Sequence, residues 1–268
     1  MTVEPTELER RLLDACRSIG PMVVAFSGGV DSALLAVAAH RALPDATWAV
    51  TADSASLASG ELEHCRRFAA EHGLSWQSAR TDELDDERYL ANAGDRCFWC
   101  KSALMDQLEP IAAARGATVV LGVNTDDLTD HRPGQRAAAE RGARFPLVDA
   151  GLGKFEIREL ARMWGLTVWD RPAMPCLSSR IPYRTPVTIG VLTKIDRAEL
   201  VLRRMGFDDV RVRHYDDTAR IEVPTDRIAE LATAAPRFVP ELERIGYRYV
   251  TVDLAGLRSG NLNGDVQR

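Results

Sequence analysis

From Met22 onward the chain alternates short apolar runs with longer amphipathic stretches. The runs "MVVAF", "TWAVTA", "LSWQSA" and "TVVLGV" are rich in β-branched and aromatic residues and have strand length. Between them, Ser32 to Arg41, Gly60 to His72 and Lys101 to Arg115 carry helical periodicity, with Pro110 expected to kink or split the third. Strand and helix in alternation predict βαβ units, hence an α/β fold with a parallel sheet and helices on both faces. "KFEIRELARMWG", Lys154 to Gly165, closes this layer as a helix.

The pattern then breaks. "RPAMPCLSSRIPYRTP", Arg171 to Pro186, has no periodicity, and its prolines deny both helix and ladder hydrogen bonds. Beyond it come a helical stretch (Thr188 to Met205), two short strands "VRVRH" and "ARIEV" joined by "YDDT", a helix from about Thr225 and a last strand in "YRYVTVDL". That order predicts a small α+β domain. The domain reading is therefore 1–170 for the α/β unit, 171–186 for a cysteine-bearing junction and 187–268 for the smaller domain, with a poorly ordered tail "NLNGDVQR".

Composition narrows the function. With 34 Lys and Arg against 39 Asp and Glu, the formal net charge of -5 supplies no field to gather nucleic acid or an anionic membrane. No run approaches the roughly 20 apolar residues of a membrane span, and the N-terminus lacks a signal-peptide core, so a cytoplasmic protein is expected. Five cysteines (Cys16, Cys65, Cys97, Cys100, Cys176), odd in number and scattered, suit reduced thiols better than a disulfide framework.

The strongest chemical signal is "VVAFSGGVDSALL". A buried strand, two glycines and a helix opening at about Ser32 converge backbone N–H groups on an anion site. It is not a Walker A loop, because the Gly-Lys-Ser/Thr ending is missing. It resembles the SGGxDS loop of the PP-loop ATP pyrophosphatases. That resemblance implies pyrophosphate held by Ser27, Gly28, Gly29, Val30 and Ser32, with Asp31 positioning Mg2+. The polar segment "LGVNTDDLTDHRPG" leaves a strand at the same sheet edge, where open α/β folds bind ligands. Its Asn124, Asp126, Asp127, Asp130 and Arg132 serve either as contacts to nucleotide, magnesium or acyl substrate or as a polar loop with capping aspartates.

Cys97 and Cys100 in "GDRCFWCK" have metal-knuckle spacing without a second pair or a histidine partner at suitable distance, and Trp99 between them either stacks on a purine or fills the interface between sheet and helix. Cys176, alone in its loop, reads as a small buried hydrophobe or as a nucleophile. An adenylated carboxylate upstream favours the nucleophile, beside Ser178, Ser179 and Arg180.

Taken together, "FSGGVDS", "RCFWCK", "VNTDDLTDHRPG", "RPAMPCLSSRIPY", "VRVRH" and "DLAGLRSGNLN" resemble the LarE family of ATP-dependent sacrificial sulfur transferases in motif order over nearly the whole chain. The resemblance implies a homo-oligomer acting in assembly of the nickel-pincer nucleotide of lactate racemase, on the small molecule pyridinium-3,5-biscarboxylic acid mononucleotide. Cys176 would give up its sulfur and become dehydroalanine, with Arg180 beside it. Relatives that carry three cysteines on a cluster differ, since this loop has one. Arg211 and Arg213, two apart and so on one strand face, either clamp the substrate phosphate with Arg180 or pair with Asp216, Asp217 or Glu222. Glu222 as a metal ligand, Asp226, Arg258 and Ser259 are further candidates. The competing readings are another PP-loop enzyme, such as a tRNA thiolase or amide-forming ligase, and a nucleotide-sensing module without turnover.

Overall fold

The computed structural model describes residues 5–129 and 133–258, so Asp130, Arg132, Ser259 and the tail lie outside the described residues. Two compact units divide the chain. The first comprises Met1–Ser54, Gly60–Glu83 and Cys97–Met174; the second comprises Ala55–Ser59, Leu84–Arg96 and Pro175–Arg268. The cysteine segment is thus shared between them, and two earlier segments fold with the C-terminal part.

The first unit opens with helix α1 (Pro5–Ile19), whose Leu8, Leu12 and Cys16 repeat every four residues and are buried. It precedes the alternation that begins at Met22, which did not include it. Four strands follow, β1 (Met22–Ala25), β2 (Thr47–Asp53), β3 (Trp76–Arg80) and β4 (Thr118–Leu121), in one all-parallel sheet of order β3-β2-β1-β4. Alternate side chains serve two cores, as strand geometry requires. Met22, Val24 and Val120 pack with α1, α2 (Val30–Ala42), α3 (Glu61–Glu71) and α8 (Lys154–Met163). Val23, Val119 and Leu121 pack on the other face against α5 (Arg96–Ala113) and α6 (Pro133–Glu140). The sheet is covered on both sides, as its nearly continuous apolar strands anticipate. Helix α5 runs through Pro110 without splitting. Helix α4 (Glu87–Leu90) belongs to the second unit, and α7 (Pro146–Asp149) to the first.

Strand order reverses at β1, whose two neighbours are reached by crossovers in opposite directions along the sheet. In open α/β sheets that switch point is where a crevice forms beyond the strand ends. Here it lies between the loops that leave β1 and β4.

In the second unit α9 (Ile189–Arg203) and α10 (Ile228–Ile245) accompany a three-stranded sheet β5-β6-β7. β5 (Arg211–Tyr215) and β6 (Thr218–Glu222) form an antiparallel hairpin turned by Asp216, at φ 52, and Asp217; β7 (Tyr249–Val252) joins β6 in parallel. Leu202, Phe207, Val212, Ile221, Leu231, Phe238 and Leu242 make its core.

Candidate active site

The loop Ser27–Gly29 joins the end of β1 to α2. Gly28 takes φ +74, and a Cβ there would lie 2.8 Å from Cys65 Sγ and 3.0 Å from the His64 ring, so both conformation and space require glycine. The Ser32 hydroxyl donates to the Gly29 carbonyl (3.0 Å) and accepts from the Ser27 N–H (3.1 Å). Its single proton is therefore spent, and the Ser27 hydroxyl donates to it at 3.1 Å. Gly29 is the N-cap of α2 and offers no side chain to cap the first-turn N–H groups. Backbone donors at the head of a buried helix of 13 residues, beside two hydroxyls, suit a phosphate.

Asp31, in the first turn of α2, meets the loop from β4. Asn124 donates from Nδ2 to Asp31 Oδ2 at 3.1 Å, and its Oδ1 accepts the Asp127 N–H at 3.1 Å. Gly122 permits this approach, since a Cβ there would sit 2.9 Å from the Ser32 nitrogen. Lys154 Nζ stands 3.8 Å from Asp127 Oδ1. Asp31 Oδ1 is buried and has no hydrogen-bond partner among the described residues. Burial, then the neighbouring Asp127 charge, raises the Asp31 pKa above the ordinary carboxylate value, while Asn124, Lys154 and Arg158 act the other way. A buried carboxylate oxygen without a partner, beside a second carboxylate, is a hard-oxygen donor set of the kind Mg2+ takes. Asp126 serves the fold instead, its Oδ2 accepting the Lys154 N–H at 2.7 Å at the head of α8.

Trp99 packs edge-on against Phe98, with centroids 4.9 Å apart, on the first turns of α5. Cys97 is exposed and Cys100 half-buried on the same turns, and among the described residues no group of three potential ligands assembles into a metal site. Burial pushes the thiols of Cys16 and Cys65 up to about 12 and about 11, which makes them poor nucleophiles.

In the second unit Cys176 is half-buried and caps a single 3-10 turn, Leu177–Arg180. Its carbonyl accepts the Ser179 N–H at 2.9 Å and Arg180 Nη1 at 3.2 Å. Arg180 is 1% exposed. Its Nε and Nη2 bind Glu199 at 2.8 and 3.1 Å, and Nη1 also reaches the Pro175 carbonyl (2.5 Å) and Ser179 Oγ (3.1 Å). Every nitrogen of that guanidinium is engaged within the protein, so Arg180 holds the cysteine turn where the sequence pattern had suggested a phosphate clamp. Glu199, fully buried on α9, further accepts the Val212 N–H and Arg203.

Arg213 is buried as well, donating to the Ser179 carbonyl at 2.7 Å and to Glu222 at 2.8 Å. Glu222 lies between Arg213 and Arg220, an ion-paired carboxylate in the place where a metal ligand was expected. Arg211 differs. It is half-buried and donates to the Arg258 carbonyl, and burial, with Arg180 and Arg213 nearby, lowers its pKa. An anion would relieve that cost. Asp226 is exposed, and Arg258 lies 3.6 Å from Asp253. The early segments strap the turn: Tyr89 shares a 2.6 Å bond with Ser178, Leu177 N–H reaches the Ser56 carbonyl, and the buried Asn92 amide holds the carbonyls of Pro182 and Thr185. Gly122, Glu199 and these straps were not singled out from the sequence.

No family model matches the chain. It is 38% identical to the pyridinium-3,5-bisthiocarboxylic acid mononucleotide synthase of Lactiplantibacillus plantarum, over 96% of this chain and 94% of that protein. The chain belongs to the LarE family. Another relative, an uncharacterized protein of Synechocystis, is 43% identical over 90% of this chain and 91% of its own length. A glutamine-hydrolyzing GMP synthase component from Archaeoglobus fulgidus is more distant, 23% identical over 78% of this chain and 69% of that protein. LarE-family membership agrees with the four-stranded parallel sheet and the smaller mixed-sheet unit found here.

Proposed function

We propose that this protein is an ATP-dependent sulfur transferase that thiolates pyridinium-3,5-biscarboxylic acid mononucleotide with the sulfur of Cys176. Identity to the L. plantarum synthase over nearly the whole of both chains is the observation that carries the reading. The substrate carboxylate attacks the α-phosphorus of ATP, and pyrophosphate leaves toward the N–H groups of the Ser27–Gly29 loop. The N–H groups at the head of α2 stabilise the charge that develops there, in a loop whose shape the Ser27 and Ser32 hydroxyls hold. Asp31, with Asp127, would hold Mg2+, which when bound neutralises phosphate charge. The Cys176 thiol then loses its proton and its Sγ attacks the acyl carbon, expelling AMP and leaving a thioester. Removal of the Cys176 Cα proton places an electron pair in a Cα=Cβ bond as Cβ–S breaks. Sulfur departs on the product as a thiocarboxylate, residue 176 becomes dehydroalanine, and each chain acts once.

Arg211 is the guanidinium best suited to the substrate phosphate, because Arg180 and Arg213 are tied to Glu199 and Glu222. Family membership also supports a cytoplasmic homo-oligomer serving nickel-pincer cofactor assembly. The test is intact mass before and after incubation with ATP, Mg2+ and the biscarboxylate mononucleotide, with peptide mapping. Loss of one hydrogen sulfide at Cys176 is expected; thiolated product from a chain of unchanged mass would overturn the donor assignment.

A further inference from the structure

Gly28 of the phosphate loop has no Cβ and takes a left-handed φ, a conformation its own backbone does not fix. Its carbonyl is nevertheless held. Arg171, five residues before Cys176 in the chain, donates from Nη1 to that carbonyl at 3.3 Å and from Nη2 to Glu61 Oε1 at 2.6 Å. Both side chains are largely buried, and Arg158 of α8 donates to the carbonyl of Arg171 itself. Glu61 is the first residue of α3, and His64, three residues on, covers the same glycine. The His64 Nε2 lies beside Gly28, buried and with no hydrogen-bond partner among the described residues.

A trans peptide is planar, so a Gly28 carbonyl turned toward Arg171 turns the Gly29 N–H the opposite way. Gly29 is the N-cap of α2, where an uncompensated N–H serves an anion. We propose that Arg171, anchored by Glu61, is a positioning residue of the phosphate loop, fixing the Gly28–Gly29 peptide so that the Gly29 N–H is presented to the pyrophosphate portion of ATP. The proposal rests on the nucleotide-activating reading given above. It makes the residue that opens the cysteine segment a part of the ATP-handling unit.

The experiment is equilibrium binding of ATP, pyrophosphate and AMP, each with Mg2+, to the full chain. Arg171→Gln is expected to weaken pyrophosphate and ATP by about tenfold and leave AMP unchanged, because AMP lacks the groups the loop grips. Arg171→Lys should recover part of the loss, and Glu61→Gln, which keeps the packing, should show a smaller loss of the same selectivity. Unchanged pyrophosphate affinity in Arg171→Gln, or equal loss for pyrophosphate and AMP, would overturn the proposal. A wild-type chain that binds neither ATP nor pyrophosphate would instead overturn the nucleotide reading. Should Arg171→Gln fail to fold, Glu61→Gln decides by the same selectivity.

Discussion

The buried charges at Asp31 in the first unit and at Arg180 in the second are built on opposite plans. Around Asp31 two carboxylates and an amide leave one buried oxygen without a partner among the described residues, and burial disfavours its charge. Around Arg180 each nitrogen finds an acceptor, and Glu199 answers with three sets of donors. An incompletely satisfied carboxylate costs stability until a cation arrives, whereas a satisfied ion pair holds a turn in one geometry. The first arrangement suits a ligand; the second suits a scaffold for Cys176. Burial alone does not separate the two, and the count of partners does.

The sharpest way to use that contrast is to stop the reaction at each place in turn. Cys176→Ala should abolish thiolated product while pyrophosphate is still released on adding the biscarboxylate substrate. Asp31→Ala should act earlier and lower pyrophosphate release by at least about a hundredfold, as expected when several kcal/mol of metal-assisted charge stabilisation is lost. Both are read by single-turnover assay of pyrophosphate and of product. Thiolated product from Cys176→Ala, or normal pyrophosphate release from Asp31→Ala, would erase the division of labour.

Legibility in the sequence follows the same division. The strand runs at Met22, Thr47 and Thr118 and the glycine loop after Phe26 are local patterns, and the structure places each element within a few residues of its expected bounds. The placement of Asn124 and Asp127 beside Asp31 was legible because they follow a strand that ends at the same sheet edge as the loop. Arg180 was visible as chemistry and misplaced in role, because its partner Glu199 lies 19 residues away in an ordinary helical stretch. Arg171 meets Glu61 across 110 positions. Ion pairs of that span depend on how elements pack, and hydrophobic periodicity carries no trace of them. Helix α1 escaped for a simpler reason, since the alternation of strands and helices starts after it.

The scaffold side of the comparison predicts a stability effect. Glu199→Ala strands Arg180 as a buried, uncompensated charge and should cost about 3 kcal/mol, measured by denaturant unfolding of the C-terminal part. Arg180→Met combined with Glu199→Leu removes both charges and should regain part of that loss. Sulfur transfer should stay impaired in the double variant, because the Pro175 and Cys176 carbonyls have lost their donor. Full recovery of transfer would show that Arg180 serves the fold alone.

The smallest effect is expected at Asp31, with the opposite sign. A carboxylate whose pKa is raised on folding destabilises the folded state wherever it is ionised in both states. That cost is complete above the folded pKa and fades as pH falls toward the unfolded value, about 3.9. Asp31→Asn should therefore raise the melting temperature of the ligand-free protein slightly at neutral pH, and the gain should shrink in acid. Adding Mg2+ and pyrophosphate should reverse the order, because only the wild-type carboxylate gains a cation and binding then adds to its stability. A variant less stable than wild type at neutral pH without ligands would mean that Asp31 is already satisfied, and the contrast with Arg180 would collapse.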